Sequence, residues 1–150
     1  DARYVFKGMR KKPEVMEKVF WKLGDQILKY MELVKEYGGD LISYADSSGG
    51  VNILGPKMME AVTVNFTYPF LKKVEQLADD KTMILLCPKT TLALIGTEKA
   101  KFVDHQLEEP IGYAQACIHM IGKAHFAGQM CIKNVGYQLN HGIFKEVKLL

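Results

Sequence analysis

The sequence has few of the features that mark membrane, nucleic-acid-binding or disulfide-bonded proteins. It contains no run of about 18 apolar residues, so we expect no membrane-spanning helix. Its 20 basic and 17 acidic side chains leave a net charge of only +3, and the single basic run, Arg10-Lys11-Lys12, is too small to predict a nucleic-acid interface. Its three cysteines lack paired CxxC units, and they predict a reduced, cytoplasmic protein.

The composition is that of one ordinary globular domain of 150 residues, 48% of them hydrophobic and 25% charged. A chain of this length buries roughly 70% of its unfolded surface on folding, so one core suffices without a disulfide or metal. We therefore expect a single domain over residues 1–150. Because the chain starts at Asp1 with no initiator methionine or signal-peptide pattern, we also expect it to be a piece of a longer protein.

Apolar residues three or four positions apart predict the helices. A long amphipathic helix should begin at Pro13, which suits a first helical position, and end at Gly38-Gly39. A second should begin at Pro56 and reach Leu77, with a kink at Pro69. Further helices are expected over residues 92–95, 110–121 and 142–150.

Short apolar runs between these helices predict buried strands. The runs cover residues 41–45, 82–87, 101–104 and 124–130. Because strands and helices alternate, the sequence predicts an α/β fold with parallel strands joined by right-handed crossovers.

Polar side chains follow the carboxyl ends of all four predicted strands. In parallel α/β folds this edge of the sheet binds ligands, so these residues are candidates for a substrate site. They are Asp46 and Ser47, Cys87, Asp104 and His105, and Gln129. A plain turn over residues 46–50 and a small buried residue at position 87 are competing interpretations.

Several segments together resemble the uroporphyrinogen decarboxylase superfamily, with the cobamide-dependent methyltransferases as the nearer branch. In chain order they are GGDLISYADSSGG, GPKMMEAV, MILLCPKTT, KFVDHQ and HFAGQM. Their order and spacing carry the resemblance, which covers residues 13–150. The chain departs from the family pattern at Pro88, where the family has glycine, and at Gln129, where it has asparagine.

The resemblance implies a (β/α)8 barrel, a fold that needs about 250 residues. This chain has room for about four βα units, so we expect a partial TIM barrel that corresponds to the C-terminal half or so. An open half-barrel leaves two unpaired strand edges, which favour pairing with another chain. The expected partner is a second copy, giving a homo-oligomer, or the missing half of the barrel.

The methyltransferase branch implies methyl transfer from a methylated corrinoid protein to a small thiol. In that branch a His-x-Cys pair and a later cysteine hold zinc, which lowers the pKa of the bound thiol and yields a nucleophile. Cys87 stands at the family cysteine and is the candidate metal ligand here. Leu85 replaces the histidine, and a catalytic zinc site requires three protein ligands.

Two other functions remain open. The decarboxylase branch implies cofactor-free decarboxylation of a tetrapyrrole with acetate arms, and Lys89 or Lys133 would meet those acidic arms. A non-catalytic fragment, or a half-barrel that binds a partner, is favoured by Leu85 in place of histidine.

Overall fold

The structure, a computed structural model, describes residues 2–46, 48–134 and 136–150. Its helices are α1 (Ala2–Lys11), α2 (Pro13–Glu36), α3 (Val51–Leu54), α4 (Pro56–Val62), α5 (Tyr68–Val74), α6 (Pro88–Gly96) and α7 (Tyr113–His119). Its strands are β1 (Leu41–Tyr44), β2 (Met83–Leu86), β3 (Ala100–Gln106), β4 (Phe126–Ala127) and β5 (Ile143–Leu149). None of the helices described is both long enough and apolar enough to cross a membrane.

The strands form one mixed sheet in the order β1-β2-β4-β5-β3. Strand β2 pairs in parallel with β1 and with β4. Strand β5 pairs antiparallel with β4 on one side and with β3 on the other. Strand β3 therefore runs in the same direction as β1, β2 and β4, and their carboxyl ends lie at one edge of the sheet.

The prediction of a helix over residues 142–150 is wrong. These residues form β5, which pairs with β3 from Ala100 opposite Leu149 to Gln106 opposite Ile143. The apolar residues Phe144 and Val147 fit helical spacing, but in β5 they point to opposite faces of the sheet and both are fully buried. The expectation of parallel strands alone is wrong for the same reason: β5 makes the sheet mixed, and a partial barrel is not established.

Strand β2 is buried on both faces, and a layer of helices covers each one. Ile84 and Leu86 pack against a cluster contributed largely by α2 and α5. Met83 and Leu85 pack against α7 and the residues that follow it. The molecule therefore has three layers, with the sheet between two hydrophobic clusters.

Helix α2 confirms the prediction of a long helix from Pro13, and Gly38 adopts the expected left-handed conformation at φ 85°. Helix α1 was not predicted. It packs on α2 at Gly8, where an added Cβ atom would lie only 2.7 Å from the sulfur of Met16. A side chain at position 8 would therefore require the Met16 side chain to move.

The predicted helix from Pro56 to Leu77 is interrupted where a kink was expected. A π-helical turn over Thr63–Thr67 separates α4 from α5, and Pro69 occupies the first turn of α5. Proline has no N–H group to bond to the preceding turn, so its ring is accommodated by the wider turn before it. A 3-10 turn over Glu75–Leu77 completes this segment.

Substitution of Phe144 tests the placement of β5. Phe144 is 0% exposed, whereas Phe102 on neighbouring β3 is 37% exposed. We expect Phe144→Ala to lower the free energy of unfolding by about 3–5 kcal/mol, because it leaves a cavity in the core. The matched change Phe102→Ala should cost about 1 kcal/mol. Equal losses in a denaturant titration would contradict this placement of β5.

Candidate functional site at the carboxyl edge of the sheet

The loop after β1 and the start of α6 are held together at the carboxyl edge of the sheet. The backbone N–H of Cys87 donates to the carbonyl of Tyr44 over 3.1 Å. The hydroxyl of Thr90, a buried residue in the first turns of α6, donates to the carbonyl of Asp46, also over 3.1 Å. These two hydrogen bonds hold together the segments that carry Asp46 and Cys87, two of the predicted site residues.

Asp46 closes the turn that follows β1. Its Oδ1 accepts hydrogen bonds from the backbone N–H of Ser48 at 3.1 Å, the hydroxyl of Ser48 at 2.9 Å and the N–H of Gly49 at 3.0 Å. A short acidic side chain that caps its own loop in this way is a common turn device. The structure thus gives Asp46 a role in shaping the loop. Ser47, the other candidate there, lies outside the described residues.

Cys87 occupies the N-cap position of α6 and is half-buried. Leu85, two residues earlier, points to the α7 side of the sheet and is buried there. No group of three histidine, cysteine or acidic side chains near enough to share a metal ion occurs among the described residues. Since a catalytic zinc site needs three protein ligands and no such group of three includes Cys87 on this part of the chain, the residues present do not fit the zinc site that the resemblance implies.

The end of β4 packs closely against α6. A Cβ atom at Gly128 would collide with the hydroxyl of Thr91 and would lie 2.8 Å from Cγ2 of Val147. Thr91 is buried, and its hydroxyl has no hydrogen-bond partner in the described part of the chain. Only glycine fits at position 128, and the sequence gives no local signal for this, because the contact joins segments far apart in the chain.

Gln129 and Asp104 both bind Lys145, a residue of β5. The side-chain oxygen of Gln129 accepts from the backbone N–H of Lys145 at 3.1 Å. The carboxylate of Asp104 forms an ion pair of 2.7 Å with the ammonium group of Lys145. The two predicted site residues therefore meet at β5, and both make structural contacts there.

His105 lines a cleft on the α7 side of the sheet. Its Nε2 lies 2.8 Å from Oε2 of Glu146, and the cleft beside it has a volume of about 640 Å³. Glu108, His119 and Lys123 also line this cleft. It is a polar, open depression in which both charge signs occur.

The predicted site is thus split into two parts by β5. Strand β3, which carries Asp104 and His105, is separated from β2 by β4 and β5. Three strand spacings of about 4.8 Å place the two strands about 14 Å apart. One small ligand at Asp46 and Cys87 would therefore not reach His105.

Burial favours the neutral form of two other titratable groups. Burial raises the pKa of Tyr44, the last residue of β1, and the nearby negative charge of Asp46 adds to the effect. Burial also raises the pKa of the Cys117 thiol to about 11. Cys117 lies inside the α7 cluster, so of the three thiols only Cys87 and Cys131 are partly exposed.

No protein-family model, curated protein or solved structure matches this chain. The resemblance to the uroporphyrinogen decarboxylase superfamily therefore rests on the residues of the chain itself.

Substitutions at Asp46 separate a role in the turn from a role in ligand binding. Asn keeps an oxygen acceptor for Ser48 and Gly49, so Asp46→Asn should unfold at nearly the wild-type denaturant concentration. Asp46→Ala removes the acceptor and should cost about 1–2 kcal/mol of unfolding free energy. Asp40→Ala, at the other end of β1, is the control and should change little. An unaltered Asp46→Ala protein would contradict the role in the turn.

Thiol labelling tests the burial of the three cysteines. Near pH 8 we expect Cys87 and Cys131 to react with an alkylating reagent while Cys117 stays protected, because it is buried and its pKa is raised. The folded state favours the neutral form of the Cys117 thiol, so this group contributes to the free energy of unfolding only while it is protonated. The contribution is fully present below the ordinary thiol pKa of about 8.5. It is lost as the pH rises through about 11. If mass spectrometry detected rapid labelling of Cys117, the burial of this residue would be refuted.

Proposed function

We propose that this chain is a uroporphyrinogen decarboxylase-like α/β unit that binds a small molecule between the loop after β1 and the start of α6. In a complete barrel, the unit serves methyl transfer from a methylated corrinoid to a small thiol. This proposal rests on one observation. The hydrogen bonds from Cys87 to Tyr44 and from Thr90 to Asp46 hold the polar loop after β1 beside the half-buried thiol of Cys87.

The chemistry of this edge suits an anionic group. Helix α6 begins directly after Cys87, and the unpaired N–H groups at a helix N-terminus favour bound anions. Methyl transfer to sulfur needs the acceptor as a thiolate, because the thiolate is the nucleophile. The loop and the helix start would hold that acceptor and exclude water from part of it. No group of three metal-ligating side chains includes Cys87 in the described part of the chain, so in this proposal the loop and the helix start hold the acceptor.

Decarboxylation of a tetrapyrrole is a second candidate function, and the position of Lys89 favours it. The aliphatic stem of Lys89 packs on the loop after β1, with Cδ 3.2 Å from where a Cβ atom of Gly50 would lie. This contact holds the stem of Lys89 on the loop after β1, and its ammonium group would meet an acetate arm. A third candidate, a non-catalytic half that a partner completes, is favoured by the buried Leu85 two residues before Cys87.

Protection of Cys87 from alkylation distinguishes the three candidates. The chain is labelled alone, with methylcobalamin and with uroporphyrin, and Cys131, the other partly exposed thiol, serves as the internal control. We expect methylcobalamin to slow labelling of Cys87 and to leave Cys131 unchanged.

The other outcomes contradict the first candidate. Protection by uroporphyrin alone, removed by Lys89→Glu and kept by Lys133→Glu, would favour the tetrapyrrole function. Protection by neither ligand would favour the non-catalytic half.

A further inference from the structure

Helix α2 has a second apolar face, which points away from the sheet. Its inner face packs against the sheet and α5 through residues such as Met31 and Leu28. Its outer face carries large apolar side chains that remain exposed, including Leu23 at 55% and Tyr30 at 69%. A helix that covers one core needs one apolar stripe, so the outer stripe has a separate cause.

The outer stripe has the spacing of helices that pair with one another. Successive positions in this stripe are separated alternately by four and three residues over nearly three heptads, and we call this set the α2 seam. They are Val19, Leu23, Gln26, Tyr30 and Leu33 on α2, and Tyr37, which follows the last residue of the helix. Apolar residues at this spacing form the contact line of a coiled coil, and Gln26 is the single amide among them.

We propose that the α2 seam pairs with the α2 seam of a second copy of this chain, in antiparallel orientation about a two-fold axis. Leu23 then faces the partner's Leu33, and Gln26 faces the partner's Tyr30, which puts an amide opposite a phenol. A closed two-fold interface of this kind is self-complementary, because each contact occurs twice.

Charges beside the seam favour the antiparallel orientation. Lys22, Lys29 and Glu36 lie along one flank of the seam, while Ile27 and Val34 lie along the other. Antiparallel pairing places Lys22 beside the partner's Glu36, twice by symmetry. Parallel pairing places the same flank against apolar side chains and leaves the lysines without acidic partners. Lys29 lies near the partner's Lys29 at the two-fold axis, where its flexible side chain allows the ammonium group to point into solvent.

The helix is already formed before it pairs. Helix α2 is held against the sheet, so dimerisation carries no cost of helix nucleation. The distance from Val19 to Tyr37 is about 27 Å at 1.5 Å per residue, so the seam gives a long contact. At one side of the seam, Leu23 also lines an apolar cleft together with Val5 of α1.

The mass of the chain in solution tests the second copy. By sedimentation velocity across the micromolar range we expect a wild-type dimer, and Leu23→Glu should raise its dissociation constant at least about tenfold. Leu92→Glu is the matched control, because Leu92 is 65% exposed on α6, and it should leave the dimer unchanged. Circular dichroism establishes that both variants fold. A wild-type monomer, or a Leu23→Glu dimer of wild-type affinity, overturns the proposal.

Charge exchange tests the orientation. Lys22→Glu and Glu36→Lys should each weaken the dimer, since each places like charges beside one another. The double variant should restore wild-type affinity, because the opposite charges meet again with signs exchanged. A double variant as weak as the single variants overturns the antiparallel arrangement.

Discussion

The burial of strand β2 on both of its faces determines how the rest of the molecule is arranged. Ile84 and Leu86 need one apolar layer and Met83 and Leu85 need another, so helices must cover both sides of the sheet. Helices α2 and α5 supply the first layer and α7 the second. Because β2 lies inside the sheet and pairs with β1, its carboxyl end lies beside the loop that follows β1. That position makes Cys87 and the start of α6 the centre of the candidate site.

Strand β5 limits what this edge can do. It inserts antiparallel between β4 and β3, and so it keeps the polar residues of β3 away from the loop after β1. Lys145 of β5 then engages both Asp104 and Gln129, which gives these side chains structural partners. The proposed ligand site lies on the Asp46 and Cys87 side of this edge alone. The outer face of α2 is separate from it and concerns assembly.

Elements with local signals could be predicted from the sequence, whereas those decided by distant contacts could not. Pro13 and Gly38 mark the two ends of α2, and short apolar runs mark β1 and β2. Strand β5 was missed because its apolar spacing also fits a helix, while pairing with β3 and β4 decides its conformation. The sequence left two interpretations of Asp46 open, a ligand-binding residue and part of a plain turn, and the hydrogen bonds in the structure belong to the turn. Thr90 and Gly128 act through contacts with remote segments.

Cross-strand nuclear Overhauser effects between β3 and β5 test this architecture most directly. The structure predicts contacts between facing backbone protons, for example those of Phe102 and Val147, and between Asp104 and Lys145. Such contacts would establish that the last strand closes the sheet against β3. Helical contacts between residues three apart over 143–149, with none to residues 100–106, would contradict it. They would restore the expectation of a terminal helix and of parallel strands alone.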